Sequence, residues 1–457
     1  MNRELRTVIR LSSFVVVILS LTIHASAQWK EKVLYSFQGS PDGSVPAGGV
    51  VFDKAGNLYG ATTGGGASSC ISFGECGTVY RLTPPIKKGN SWTEVVLYVF
   101  RGNAANDGAT PGGGLLIDSS GNLYGTTAYG GTGGCILLGT KMGCGAVYEM
   151  TPPRTKGGKW TESVLYSFQG GKDGDFPAGN LTFDKAGNLY GATQYGGGFG
   201  ICNAPYFQNC GVIFKLSPPV KNGGKWKEKV LYSFKSGTDG ANPNGGLVFD
   251  SKGAIYGTTF SGGNQGCKGD ASVGCGTAFR LRPPTQNGGA WVERLLHVFN
   301  GRNDGGQPSA GVIFNSNGAI YGAAEGGLEM GGVVFRLGPA SGGKWKETIV
   351  YGFGSDSYSY TPAVAVFDKI GNLYGTTNVG PSHSLAGSVF RLKPPSRKGG
   401  SWSLSLLHGF TSVPDAALPN TGLIFDKSGN VYGTTQAGGT ATGCGHNGCG
   451  TVFEVMP

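Results

Sequence analysis

Charge is scarce in this chain: Asp, Glu, Lys and Arg together make up 14% of its 457 residues, and His occurs only five times. The catalytic signatures that need such residues at fixed spacing are missing too. There is no Gly-x-Ser-x-Gly, no His-Glu-x-x-His and no phosphate-binding loop. Beyond the N-terminal leader no run of about 18 apolar residues occurs, so no later segment has the pattern of a membrane-spanning helix. The 86 Gly follow no Gly-X-Y period, which excludes collagen, and 11% aromatic residues supply the apolar mass that a disordered Gly-rich chain lacks. What is present, Gly, Thr and aromatics with little charge, favours strands and tight turns over helices.

Residues 1–27 have the pattern of a secretory signal peptide. Arg3, Arg6 and Arg10 precede a short apolar run from Leu11 to Ile23, and Ala25-Ser26-Ala27 offers a small-residue cleavage site before Gln28. Export and release are expected, with no integral membrane segment once the leader is removed. The formal charge of +10 suits either an anionic surface or simple solubility.

A seven-fold repeat organises the remainder, residues 28–457. Its seven Trp (Trp29, Trp92, Trp160, Trp226, Trp291, Trp345 and Trp402) stand at one phase, 54 to 68 residues apart. Each opens a β-like run such as Lys32-Val33-Leu34-Tyr35-Ser36-Phe37. A turn follows, often Asp-Gly with a nearby Pro, then Gly48-Gly49-Val50-Val51-Phe52-Asp53, Asn57-Leu58-Tyr59-Gly60-Ala61-Thr62 and Gly77-Thr78-Val79-Tyr80-Arg81-Leu82. Four short strands per unit and seven units predict an all-β fold, a seven-bladed β-propeller with four antiparallel strands per blade. With the runs labelled A (Val51-type), B (Tyr59-type), C (Val79-type) and D (Trp-led), the chain begins on a D run and ends on a C run. The N-terminal strand is therefore expected to close the last blade, leaving no open edge. The Gly pairs opening run A suit a crowded axis.

The units, for instance Gly245-Gly246-Leu247-Val248-Phe249-Asp250, Ile255-Tyr256-Gly257-Thr258-Thr259 and Gly276-Thr277-Ala278-Phe279-Arg280-Leu281, resemble the GloVer tandem-repeat family of bacterial secreted or envelope proteins. The resemblance spans the repeats and implies the architecture, with no established activity.

The ten Cys form five matched pairs in the B–C loops: Cys70/Cys76, Cys135/Cys144, Cys202/Cys210, Cys267/Cys275 and Cys444/Cys449. Repeats have both members or neither, as pairwise bonding requires, and an oxidising compartment permits disulfides. Loops this short gain roughly 2.5 kcal/mol each on the chain-entropy estimate. The spacings do not match structural zinc sites, so neither a metal nor any cofactor is expected.

Up-and-down blades put B–C loops and D–A turns on one face, and this stapled face is the functional candidate. Tyr129, Tyr195 and Phe260 stand at similar points of three neighbouring B–C loops, and Tyr358 and Tyr360 lie in the sixth D–A turn. Such rings suit the apolar faces of sugars, or else pack over loop backbones. Asp42, Asp107, Asp173, Asp239, Asp304 and Asp415 recur in the D–A turns. They order the turn or, as a ring, collect Ca²⁺. His297 and His408 replace the Tyr of run D and are expected to pack. The acids of interest for catalysis are Glu75, Asp175, Asp270, Glu325 and Glu329. The expectation is a monomeric, secreted, non-catalytic binding or scaffold module, extracellular or periplasmic, for extracellular carbohydrate or an envelope protein, with no nucleic-acid partner. The alternative is an exported polysaccharide lyase or glycosidase with its site in the propeller funnel.

Overall fold

The computed structural model describes residues 29–457 apart from 67–74, 88, 199–209, 222, 264–266, 268–273, 287, 327–330, 355–360, 380–385, 398 and 420–421. Residues 1–28, which hold the expected signal peptide, and Cys70, Cys202, Asp270, Glu329, Tyr358 and Tyr360 lie outside the described residues.

Turn chemistry and alternation build each blade. In blade 1, strand A is Gly43–Phe52, strand B Leu58–Gly65, strand C Thr78–Thr83 and strand D Thr93–Val99, paired antiparallel in that order. Asp53 makes the A–B hairpin. Its Oδ1 accepts the Ala55 and Asn57 N–H groups at 2.8 and 2.9 Å, and its Oδ2 accepts the Tyr59 hydroxyl at 3.2 Å. Asp118, Asp184, Asp250, Asp368 and Asp426 repeat this turn. Strands B and C are buried on both faces, whereas strand D shows Thr93 and Val95 to solvent. In blades 2 and 4 strand A is split, as Gly108–Pro111 with Leu116–Ile117 and Gly240–Pro243 with Val248–Phe249.

Seven such blades form the β-propeller, and the terminal strand closes it as the phase of the Trp residues predicts. Lys30–Ser36 is strand D of blade 7, antiparallel to its strand C, Thr451–Met456. Among the described residues the only helical turns are three short 3₁₀ segments. Among the described residues no helix is long and apolar enough to cross a membrane.

Each seam between blades has its own apolar cluster, built from the same aromatic positions. Phe100 of one blade meets Tyr148 of the next edge-on at 5.0 Å, and Phe234 meets Phe279 at 5.2 Å. The repeat Trp packs backwards: Trp160 lies 5.8 Å from Tyr59, and Trp345 5.8 Å from Tyr256. Such edge contacts add about 0.5–1.5 kcal/mol each to the area they bury. At the axis the blades touch backbone to backbone. A Cβ on Gly48, whose φ is +61°, would stand 2.1 Å from the Gly114 nitrogen, so only Gly fits.

Three disulfides are fully described: Cys135–Cys144, Cys267–Cys275 and Cys444–Cys449, with Cα–Cα distances of 5.1, 4.9 and 5.2 Å. Cys76 and Cys210 are disulfide-bonded as well. The second Cys of each pair is also a seam residue. Its carbonyl accepts an N–H from strand A of the next blade: Cys76 from Thr110 at 2.8 Å, Cys144 from Phe176 at 3.1 Å, Cys449 from Val45 at 2.9 Å.

Candidate functional site

The residue that makes this cross-seam bond is unusual. Val45, Thr110, Phe176, Asn242, Gln307 and Leu418 all have φ between +52° and +58°, and each is followed by Pro. A non-Gly residue in the left-handed region costs about 1–2 kcal/mol, and a following Pro disfavours it further. The seam enforces the conformation through the N–H bond and through the Pro ring, which rests on a positive-φ Gly of the neighbouring blade (Pro111 on Gly77, Pro243 on Gly211). Five of these side chains are half-buried and Leu418 is 40% exposed, although their neighbours along strand A are mostly buried. They recur at one place in the repeat, bonded to the B–C loops and a few residues before the strand A positions that line the axial cavity, and so mark its mouth on the stapled face. Strain of this kind clusters at ligand sites.

One part of this ring carries aromatics. Phe176 stands between Tyr129, at the end of strand B of blade 2 (Leu123–Gly130), and Tyr195, at the end of strand B of blade 3 (Leu189–Tyr195). The ring centroids are 5.1 and 5.8 Å apart, each pair edge-on. Asp175 lies beside them, and burial pushes its carboxyl up to about 7 against the opposing hydrogen bond from the Phe176 N–H, with Asp173 adding to the rise. Burial likewise raises both Tyr hydroxyls, Tyr129 further through Tyr195 and Asp175, and Tyr195 through Asp175.

The next seam carries amides. Gln194 Nε2 donates to Asn244 Oδ1 at 2.7 Å, Asn242 Nδ2 donates to the Gln194 carbonyl at 3.0 Å, and the Ser261 hydroxyl donates to Asn242 Oδ1. Below the mouth runs an axial cavity of about 740 Å³ lined by strand A backbones, with Asn180, Asn244, Thr361, Asn378 and Glu325 among its polar groups. Among the described residues Glu325 is the single carboxylate in that lining.

The structure brings Tyr129 and Tyr195 together as the sequence suggests. Phe260 is not their equivalent. Tyr129 pairs with Ala109, Tyr195 with Asp175 and Ser261 with Ala241, so Phe260 is one residue out of register and projects to the opposite face of its strand. Sequence reasoning missed Phe176, Gln194, Asn242 and Asn244, although the recurrent Asp-x-x-x-Pro segment contains the signal for Phe176 and Asn242.

The repeated Asp residues of the D–A turns have another task. Asp42, Asp107, Asp173 and Asp239 accept the hydroxyl of the strand D Tyr (Tyr35, Tyr98, Tyr166 and Tyr232) at 2.7–3.0 Å, together with a backbone N–H. They order the turn and tie it to strand D. Among the described residues no Asp lines the axial cavity, so these six carboxylates do not converge there as a ring. Glu75 is committed to the Gly65 N–H and the Ser44 hydroxyl.

Among solved structures the chain is similar to the NanB sialidase of Streptococcus pneumoniae, with 11% identity over 93% of this chain and 70% of that one and a TM-score of 0.43. It is similar to PorZ, a bacterial surface component of the type-IX secretion system of Porphyromonas gingivalis, with 15% identity over 92% of this chain and 47% of PorZ and a TM-score of 0.46. It is also similar to the polysaccharide lyase Uly1, with 11% identity over 91% of both chains and a TM-score of 0.47. No functionally curated protein matches the sequence. The Gloeobacter/Verrucomicrobia repeat model matches residues 17–269 and 198–453, nearly the whole chain, in agreement with the Tyr-Gly-Thr-Thr piece of four repeats and its Tyr-Gly-Ala-Thr or Tyr-Gly-Ala-Ala variants in the other three. The protein belongs to the Gloeobacter/Verrucomicrobia repeat family.

Proposed function

We propose that this protein is an exported, non-catalytic binding module whose stapled face takes extracellular carbohydrate. The observation that carries the reading is a pair of clusters at neighbouring seams: three rings, Tyr129, Phe176 and Tyr195, at seam 2/3 and the Gln194–Asn242–Asn244 amides at seam 3/4. Rings offer flat apolar surface to sugar C–H faces, and amides both donate and accept hydrogen bonds with hydroxyls. The disulfide-braced loops agree with an oxidising compartment, and the rigid seams hold both clusters in shape before a ligand arrives. An envelope protein is the other partner class that such a face suits.

A rival catalytic reading draws on Asp175. A carboxyl that titrates near 7 beside two Tyr hydroxyls has the character of a general acid or base. Glycan-array binding with the mass of each bound glycan followed over time separates the two. Binding without mass change is expected, and Tyr129→Ala is expected to weaken it about 10-fold, about 1.4 kcal/mol, with only a small fall in Tm from the lost contact with Phe176. Cleavage abolished by Asp175→Asn would establish the enzyme instead. A Tm loss in Tyr129→Ala with unchanged affinity would reduce the rings to packing.

A further inference from the structure

We infer that the seam which closes the propeller is a divalent metal site of the zinc class, formed by Glu31, His408 and Asp415. Every described seam places an Asp of the D–A turn against a strand D residue of the preceding blade. At four seams that residue is Tyr, and its hydroxyl satisfies the Asp. At the blade 4/5 seam it is His297, whose Nε2 lies 3.0 Å from Asp304 Oδ2. At the blade 6/7 seam it is His408, on strand D of blade 6 (Ser403–Gly409), and here the bond is open. Nε2 stands 3.6 Å from Asp415 Oδ2, is buried and has no hydrogen-bond partner. Glu31 Oε1, from the N-terminal closing strand, is buried and without a partner, as are the equivalent oxygens of Glu94, Glu162, Glu228, Glu293 and Glu347 at the other seams.

What sets this seam apart is an imidazole nitrogen left unpartnered between that glutamate and a second carboxylate, and an ion among the three would satisfy all of them. One ligand atom from each of the three residues lies within 4.8 Å of the other two. Ligands about 2.0–2.2 Å from a tetrahedral ion stand roughly 3.4 Å apart, close to the His–Asp separation. One neutral imidazole and two carboxylates match a dication in charge and donor type, leaving a fourth position for water. The groups that would orient the ligands are in place. The Thr411 N–H and hydroxyl donate to Asp415 Oδ2 at 2.9 and 3.1 Å, and Phe410 meets the His408 ring edge-on at 4.9 Å. An ion there joins the first strand of the fold to the sixth blade. It binds the closed ring and not the open one, and so stabilises closure by mass action.

The test is calorimetric titration of Zn²⁺ into the tag-free, chelator-treated protein, with Co²⁺ absorption as an independent readout of imidazole and carboxylate ligation. One saturable equivalent and a Tm that rises with Zn²⁺ are expected. His408→Tyr installs the residue that four other seams carry, so it keeps the fold while losing the site; Glu31→Gln also weakens binding, and His297→Tyr leaves it intact. Absence of saturable uptake by the wild type, or equal uptake by His408→Tyr, overturns the assignment.

Discussion

The seams and the mouth of this propeller use one backbone in opposite ways. At the seams the side chains repeat: a buried Phe at the end of strand D or just past it, a Phe or Tyr on strand C and a Tyr on strand B recur from blade to blade. At the mouth the backbone repeats and the side chains do not. Val45, Thr110, Phe176, Asn242, Gln307 and Leu418 share one left-handed conformation and one cross-seam hydrogen bond. The difference teaches where constraint resides. Close packing leaves the seam side chains no latitude, whereas at the mouth the N–H and the following Pro bear the structural duty. The side chain there is left to vary, and variation on a rigid frame is what recognition uses.

The largest expected effect tests the seam half of that comparison. Phe279, fully buried, should lose about 3–5 kcal/mol of stability on change to Ala, measured by denaturant unfolding. A loss under about 1 kcal/mol would mean that the seams tolerate side-chain change as the mouth does.

A smaller effect is collective and acts through pH. Glu94, Glu162, Glu228 and Glu293 sit on successive strands D, and burial first, then the carboxylates of Asp42, Asp107, Asp173 and Asp239 respectively, push them up to about 7; Arg101 opposes the rise at Glu162. Tyr35 and Tyr80 share the surroundings of Glu94, and Tyr98 and Tyr148 those of Glu162; Tyr166 lies near Glu228 and Tyr232 near Glu293. The folded state therefore holds protons that the unfolded chain releases near 4.5. The stability they contribute is fully present below pH 4.5 and is lost as pH rises through about 7. Tm should be lower at pH 8 than at pH 5.5, and the quadruple Glu→Gln variant, which mimics the neutral acids, should flatten that difference. An equally steep profile in the variant would detach the effect from these seams.

The smallest expected effect tests the mouth. Gln307→Gly keeps the N–H bond to Cys275 and removes the Cβ strain at φ +52°, so stability should rise by about 1 kcal/mol. A fall would show that the Gln307 side chain has a structural duty of its own, and the seam–mouth distinction would then fail at that position.

Much of the fold was legible before any coordinates, because its signals are local. Trp phase, Asp-x-x-Gly-Asn hairpins and alternating apolar residues specify short strands and their number, and the phase of the ends specifies closure by Lys30–Ser36. Strand A was legible only in part. In blade 1 it begins at Gly43, five residues before the Gly pair, because the cross-seam bond of Val45 extends the pairing. The candidate site was less legible. Tyr129 and Tyr195 could be matched by their place in the repeat, but the one-residue slip at Phe260 shows only in the strand register.

By itself, then, the sequence determined the repeat, the blade count and the positions of the Cys pairs, since turns and strand periodicity act over a few residues. Only the tertiary structure decided which side chains meet. Phe176 comes between Tyr129 and Tyr195 because blades 2 and 3 stack, and Glu31 comes to His408 and Asp415 because the ring closes. Contacts of that kind depend on how whole blades pack side by side, and no local propensity encodes them.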